Sequence, residues 1–247
     1  MSGYQSLANF YDLLTRDISY KSRAEYFGRL IKRYAPEANL LLDLACGTGS
    51  LSVELARMGF DVIAVDSSFE MLGELLRKKI ETGLDILPLC QDMTELDLYG
   101  TVQATVCALD SLNHLTDEAM LKKAVERVAL FTEPGGVFAF DVNSEYKHRE
   151  ILGDNVFVYD CDDVYCVWQN SYDAKTQIVD MELDIFEYRD GAYYRSADSI
   201  SERAYPDGFL REVLSGCGFT EVHCFDEDSF DPPRPDSQRL VYLAVKG

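Results

Sequence analysis

Leu40-Leu41-Leu42-Asp43-Leu44-Ala45-Cys46-Gly47-Thr48-Gly49-Ser50 is the stretch whose reading decides the fold. An unbroken apolar run ends in a carboxylate and then in a Gly-x-Gly turn. Leu51, Leu55 and Met58 follow at helical spacing. A run with apolar residues on both faces is what a strand buried between two helix layers looks like. The glycines let the backbone turn sharply and approach a ligand where a Cβ would collide. The helix after the turn begins with unpaired N–H groups. The segment reads as a strand–loop–helix cradle for a small polar cofactor.

The same grammar repeats outward from the cradle. Upstream, Ser22 and Glu25 have capping-box spacing, and Phe27, Leu30, Ile31 and Tyr34 mark one helical face as far as Ala35. Downstream, Gly59 closes the first crossover helix, and Asp61–Val65 is a buried strand ending at Asp66. Ser67 and Glu70 open a helix carrying Met71, Leu72, Leu75, Leu76 and Ile80. Strands at 85–90 and 101–109 end at Gln91-Asp92-Met93 and Asp110-Ser111-Leu112-Asn113-His114. Thr116 caps the next helix, and Pro134-Gly135-Gly136 turns into a fifth strand, 137–142. This alternation predicts a parallel sheet with helices on both faces. Right-handed crossovers place Asp43, Asp66, Asp92 and Asp110 together on the one edge where open α/β sheets bind ligands.

After residue 144 the period changes from helix-spaced to alternating. Val179, Met181, Leu183 and Ile185 alternate with acidic residues, and 156–160, 164–170 and 193–199 read as companion antiparallel strands. Residues 145–203 are expected to form a small inserted β lid. Residues 1–144 and 204–247 form the main domain, completed by a helix from Pro206 to Gly218 and strands at 219–225 and 240–245.

Composition narrows the function. The formal net charge of −20, from 43 acidic and 23 basic residues, repels a phosphate backbone, so nucleic acid is disfavoured as a substrate. No apolar run approaches the roughly 18 residues of a membrane span, and the N-terminus lacks a signal-peptide pattern, so a cytoplasmic protein is expected. The seven cysteines form no C-x-x-C pair and read as reduced structural thiols. The three histidines are scattered, and no metal site is expected.

The cradle fails two familiar patterns. A dinucleotide fingerprint wants a third glycine where Ser52 stands, and a phosphate-binding P-loop wants a lysine that is absent between residues 33 and 77. A carboxylate beside the loop favours a ligand with a cationic group there. Residues 42–49 resemble the glycine-rich motif of the class I S-adenosylmethionine-dependent methyltransferases. Ala64-Val65-Asp66-Ser67-Ser68 with Met71, Gln91-Asp92-Met93, Pro134-Gly135-Gly136 and Gly218-Phe219 resemble later motifs of that family, in order. Phe10-Tyr11-Asp12, Tyr20, residues 110–115 and the antiparallel insert resemble small-molecule N-methyltransferases, including those acting on amino sugars.

That resemblance implies a Rossmann-like, seven-stranded, mostly parallel sheet with the last strand antiparallel, and S-adenosyl-L-methionine as cofactor. By the same likeness, Asp43 would lie near the amino group with the Ala45 and Gly47 backbones beside the methionine moiety, Asp66 would accept both ribose hydroxyls, and Cys46, Gly49 and Ser67 are further cofactor-binding candidates. Asp92 would take the adenine amino group and Met93 would offer its backbone N–H and an apolar wall, with Met71 and Leu109 as further cofactor-binding candidates. Tyr11 and Tyr20, with Tyr4 as a further candidate, would close over the methionine end. Asp110, Asn113 and His114 are the catalytic candidates beside the methyl group. Trp168, Tyr165, Arg203 and Tyr205 are candidate acceptor contacts set against core roles. The expected partner is a small amine or hydroxyl acceptor, and the chain a monomer or homodimer. An RNA or protein methyltransferase and a non-catalytic cofactor-binding protein stand as the alternatives.

Overall fold

The computed structural model describes residues 11–247. Tyr4 and Phe10 lie outside the described residues. A short helix α1 (Tyr11–Leu14) precedes α2 (Tyr20–Tyr34). The alternating core follows: β1 (Leu40–Leu44), α3 (Ser50–Arg57), β2 (Asp61–Asp66), α4 (Phe69–Thr82), β3 (Ile86–Cys90), β4 (Val102–Cys107), α5 (Glu118–Phe131) and β5 (Thr132–Asn143). The insert contributes β6 (Val156–Cys161), β7 (Val164–Asp173), β8 (Ile178–Arg189) and β9 (Ala192–Arg203). Helix α6 (Asp207–Gly216), β10 (Phe219–Asp226) and β11 (Arg239–Lys246) complete the chain.

Seven strands form one sheet in the order β10-β11-β5-β4-β1-β2-β3, with β11 antiparallel to both of its neighbours and the remaining pairs parallel. The apolar run in β1 has a physical reason: Leu41 faces one helix layer, Leu42 and Leu44 the other, and all three are fully buried. Helices α2, α3 and α4 cover the first face, α5 and α6 the second. The chain runs outward from β1 through β2 to β3, then returns to β4 on the opposite side of β1. That reversal opens a crevice at the carboxyl ends of β1 and β4. Strands β6–β9 make a separate antiparallel sheet. Its inner face packs Val164, Cys166, Val179, Met181, Leu183 and Ile185 against Tyr11 and Leu13 of α1.

Several boundaries differ from the sequence expectation. Helix α2 is capped by Ser19 rather than Ser22, and Ser19 Oγ accepts from Ser22 N at 3.3 Å. Helix α4 is capped by Ser68 rather than Ser67. Helix α5 is capped by Asp117 rather than Thr116. The Asp117 carboxylate accepts from Ala119 N and Met120 N, and its charge also favours a helix N-terminus. Pro134-Gly135-Gly136 is an irregularity inside β5 instead of a turn before it. Thr132 already pairs with Val102, and regular pairing resumes at Val137 opposite Ala104. All seven cysteines are free thiols. Among the described residues no helix is long and apolar enough to cross a membrane.

Candidate active site

The cradle is shaped by left-handed residues. Ala45, Gly47 and Gly49 have φ of 58°, 55° and 73°. Cys46 N donates to Val65 O and Gly49 N to Cys46 O, both at 2.9 Å, so the loop folds back on β2. The two glycines serve different ends. A Cβ on Gly49 would stand 2.2 Å from Leu75 Cδ1, so that position is set by packing against α4. A Cβ on Gly47 would meet nothing within 4 Å, because that residue borders open space.

That open space is a cleft of about 320 Å³, in the usual range for small-molecule sites. Asp66 forms one wall. Its Oδ2 accepts from Gly47 N and its Oδ1 from Ser68 N, both at 2.8 Å, so one carboxylate bridges the cradle and the start of α4. Burial nevertheless raises its pKa, the backbone donors only partly offsetting the desolvation. Each oxygen keeps a lone pair for a further donor. Ser67, Met71, Met93 and Leu109 line the same cleft, as do Ala45, Tyr11 and His114. Asp92 does not border it. Its Oδ1 accepts from Thr94 N and Thr94 Oγ1 at 2.8 Å each, with its neighbours Gln91 and Met93 in the wall.

Asp43 lies one step behind the cleft, in a small adjoining cavity shared with Tyr11, Tyr20 and Cys46. It is 1% exposed and accepts from Ser52 Oγ at 2.5 Å. Burial pushes its carboxyl up to about 7, with the charge of Asp66 adding to the rise and the Ser52 bond opposing it. Burial likewise raises the Cys46 thiol well above its ordinary value, so this cysteine is held as a neutral group.

Helix α1 is tied over this end by groups the sequence reading did not assemble. Asp12 Oδ1 accepts from Thr48 Oγ1 at 2.6 Å and from Ser50 Oγ at 3.2 Å. Lys78 Nζ of α4 donates to Asp12 Oδ2 at 2.5 Å, Ser50 Oγ at 2.6 Å and Thr48 Oγ1 at 3.0 Å. The cradle hydroxyls are therefore shared between α1 and α4. Tyr20 OH meets Thr15 Oγ1 at 3.1 Å, which fixes the turn joining α1 to α2.

The catalytic candidates after β4 divide. Leu109 and Asp110 have φ of 59° and 54°, consecutive left-handed residues of the kind that cost roughly 1–3 kcal/mol each and cluster at functional sites. Asp110 is not available as a base: Arg239 Nη1 donates to its Oδ1 at 2.6 Å and Asn143 Nδ2 to its Oδ2 at 2.9 Å. The Arg239 charge holds its carboxyl well below the usual range despite burial. Asn113 is engaged in the same way. Fully buried, it donates to Asn143 O and Arg203 O and accepts from Asn143 N, which ties the insert to β5. His114 remains in the cleft wall, with Nε2 3.9 Å from Oε1 of Glu202.

Glu202 was missed because it sits in a strand of the insert, yet a signal was present. Its position in the alternation of β9 turns a carboxylate inward, and it is 4% exposed. The other candidates in and beside the insert make contacts within the protein. Arg203 binds Thr116 O and Glu118, and Tyr205 OH bonds Leu115 O. Trp168 packs on Tyr159, and Tyr165 faces outward.

A bridging carboxylate at the second strand end, a bare-backbone glycine loop at the first and a switch-point cleft define an α/β protein with a small-molecule-sized cleft at the carboxyl edge of its sheet. Comparison with known proteins narrows this. Residues 41–136 match the family described as "Methyltransferase domain". YqeM of Bacillus subtilis (strain 168), which bears a methyltransferase name, is 33% identical over 98% of this chain and 97% of that protein. A glycine/sarcosine N-methyltransferase of Parasynechococcus marenigrum (strain WH8102) is 28% identical over 97% of this chain and 84% of that protein. The crystal structure of an S-adenosylmethionine-dependent methyltransferase from Clostridium acetobutylicum ATCC 824 superposes with a TM-score of 0.88 at 32% identity, covering 99% of both chains. The chain belongs to this methyltransferase family.

Proposed function

We propose that the protein transfers a methyl group from S-adenosyl-L-methionine to the nitrogen of a small amine. The observation that carries this reading is Asp66, whose two oxygens are hooked to Gly47 and Ser68 so that the carboxylate faces the cleft with acceptor capacity to spare. A ribose offers the matching pair of hydroxyl donors, and such charge-assisted bonds contribute about 1.5–3 kcal/mol. The exposed Gly47 backbone, the apolar flanks Met71 and Met93 and the buried Asp43 fit the remainder of the cofactor.

In this reading Asp43 faces the ammonium of the methionine moiety, with the Ala45 and Gly47 backbones beside it. Asp92, whose Oδ2 accepts no hydrogen bond among the described residues, takes the adenine amino group from just outside the wall formed by Gln91 and Met93, and Met93 supplies an apolar surface. Tyr11 and Tyr20 close over the methionine end. When bound, the cofactor supplies a methyl group on a sulfonium, an activated donor that needs only a positioned lone pair. The protein's work is then orientation and proton removal, and positioning alone contributes roughly 7–11 kcal/mol. His114 accepts a proton from the entering ammonium, and Glu202 holds the resulting positive charge. The insert, residues 145–203, covers this side and excludes water. A whole-length likeness to an N-methyltransferase supports nitrogen over oxygen as the accepting atom. The free thiols fit a reducing compartment such as the cytoplasm.

Calorimetric titration with S-adenosylhomocysteine tests the cofactor assignment, and binding in the micromolar range is expected. No binding at millimolar ligand overturns it. A screen of amines, phenols and alcohols for S-adenosylhomocysteine release tests the acceptor, and turnover restricted to hydroxyl compounds overturns the amine reading.

A further inference from the structure

Where the insert rejoins the sheet edge, one amide organises three charged groups. Asn143 Nδ2 donates to Asp110 Oδ2 and to Glu202 Oε2, both at 2.9 Å, and Asn143 Oδ1 accepts from Lys147 Nζ at 2.8 Å. The carboxylates around this amide are mostly engaged. Asp110 pairs with Arg239, while Asp141 and Glu227 each pair with both Arg23 and Arg239. Glu202 directs Oε2 at Asn143 and His148, leaving Oε1 toward His114.

Lys147 stands apart from these pairs. Among the described residues the one hydrogen bond of its ammonium goes to a neutral amide oxygen, and no carboxylate lies within ion-pair distance of it. Two of its three donors therefore have no acceptor among the described residues. It is half-buried. Burial, followed by the charge of Arg239, pushes the ammonium below the usual lysine range and outweighs Asp110, Glu202 and Glu227. Surroundings that disfavour a cation in this way are relieved by an incoming anion.

The group sits behind the cleft wall and meets it through Glu202, whose Oε1 lies 3.9 Å from Nε2 of the wall residue His114. Asp110 lies between Leu109 and Ser111, both in the cleft wall, and Tyr11 in the same wall is within electrostatic reach of Asp110 and Arg239. We infer that the methyl acceptor carries an anionic group close to its amine, and that Lys147 binds that group while Glu202 and His114 face the nitrogen. The two hydrogen bonds and the amide between them hold Lys147 Nζ and Glu202 Oε2 within about 8 Å of each other. This separation suits a compact zwitterion. A carboxylate of an amino acid and a phosphate ester of an amino sugar offer the same chemistry. The inference rests on the methyltransferase reading.

The test compares paired acceptors at saturating S-adenosylmethionine, reading S-adenosylhomocysteine release. Glycine, sarcosine and β-alanine are set against their amides, and glucosamine 1-phosphate against glucosamine. Wild type is expected to favour the anionic member of at least one pair by about tenfold or more in kcat/KM, and the pair identifies carboxylate or phosphate. Lys147→Met is expected to erase that preference mainly through KM, and Lys147→Arg to restore most of it. S-adenosylhomocysteine titration of each variant runs in parallel. Loss of binding in wild type overturns the methyltransferase reading itself. Intact binding with equal use of both members, a preference that survives in Lys147→Met, or no turnover of any anionic member overturns the inference alone.

Discussion

Lowering the pH from 7.5 to 6.0 is expected to weaken S-adenosylhomocysteine binding about eightfold through one carboxyl group, Asp43. Burial raises this group to about 7, far above the ordinary aspartate value, so the free protein protonates it near neutrality. A ligand ammonium requires the ionised form. With a midpoint of about 7, the ionised fraction falls from about three-quarters at pH 7.5 to about one-eleventh at pH 6.0, which gives the eightfold loss. Binding at pH 6.0 then releases close to one proton, measurable by calorimetry in buffers of different ionisation enthalpy. Asp43→Asn flattens the profile. Ser52→Ala removes the bond that favours the charged form and moves the profile to higher pH. The sign for stability is opposite to the usual acidic case. A folded value above the unfolded one means that stability without cofactor declines as pH rises between about 4 and 7. Asp43→Asn should therefore raise Tm at pH 8 while weakening binding. Affinity that is flat from pH 6.0 to 7.5 with no proton release, or a pH dependence that survives in Asp43→Asn, would refute the reasoning.

Other outcomes follow from the same geometry. Asp66→Asn weakens S-adenosylhomocysteine binding by about 10- to 100-fold in titration calorimetry, because the ribose bonds lose their charge. Gly49→Ala lowers Tm by several degrees in thermal denaturation, since its Cβ would overlap Leu75, whereas Gly47→Ala has the smaller Tm effect and the larger effect on binding. Lys78→Met removes the ammonium that links α4 to Asp12 and the cradle hydroxyls, leaving the direct Asp12 bonds, and raises the S-adenosylhomocysteine dissociation rate in stopped-flow displacement, with Lys78→Arg closer to wild type.

The sheet was legible because parallel strands are buried on both faces and so write themselves as continuous apolar runs, as at Leu40–Leu44 and Val62–Val65. The cradle and Asp66 were legible because glycine freedom and a strand-end carboxylate are local signals. Cap positions were not, since several serine, threonine and aspartate residues stand within reach of each helix start and only the backbone path selects Ser19, Ser68 or Asp117. The polar cluster was opaque for a different reason. Asp110 and Asn113 are in the right place for chemistry, but their partners Arg239, Asn143 and Arg203 come from distant strands, and only the fold shows that those side chains are already engaged. Lys147 had no local motif to announce it, and Glu202 had only its place in the alternation of β9.

Asp141 has a bearing on what can be cut from this molecule. Its carboxylate is completely enclosed at the end of β5 and is neutralised by Arg23 from α2 and Arg239 from β11, while also accepting from Asp110 N. Removing either arginine strands part of a buried charge, a loss on the order of 3 kcal/mol. The segment that carries the family pattern, residues 41–136, contains neither arginine, nor Asp141 itself. The recognisable motif region thus leaves out the whole charge set, together with β11 and the carboxyl end of β5. A circular permutant that keeps all three residues preserves the charge set, whereas any fragment that omits one of the two flanks forfeits it, so the unit of inheritance and the unit of stability do not coincide in this chain.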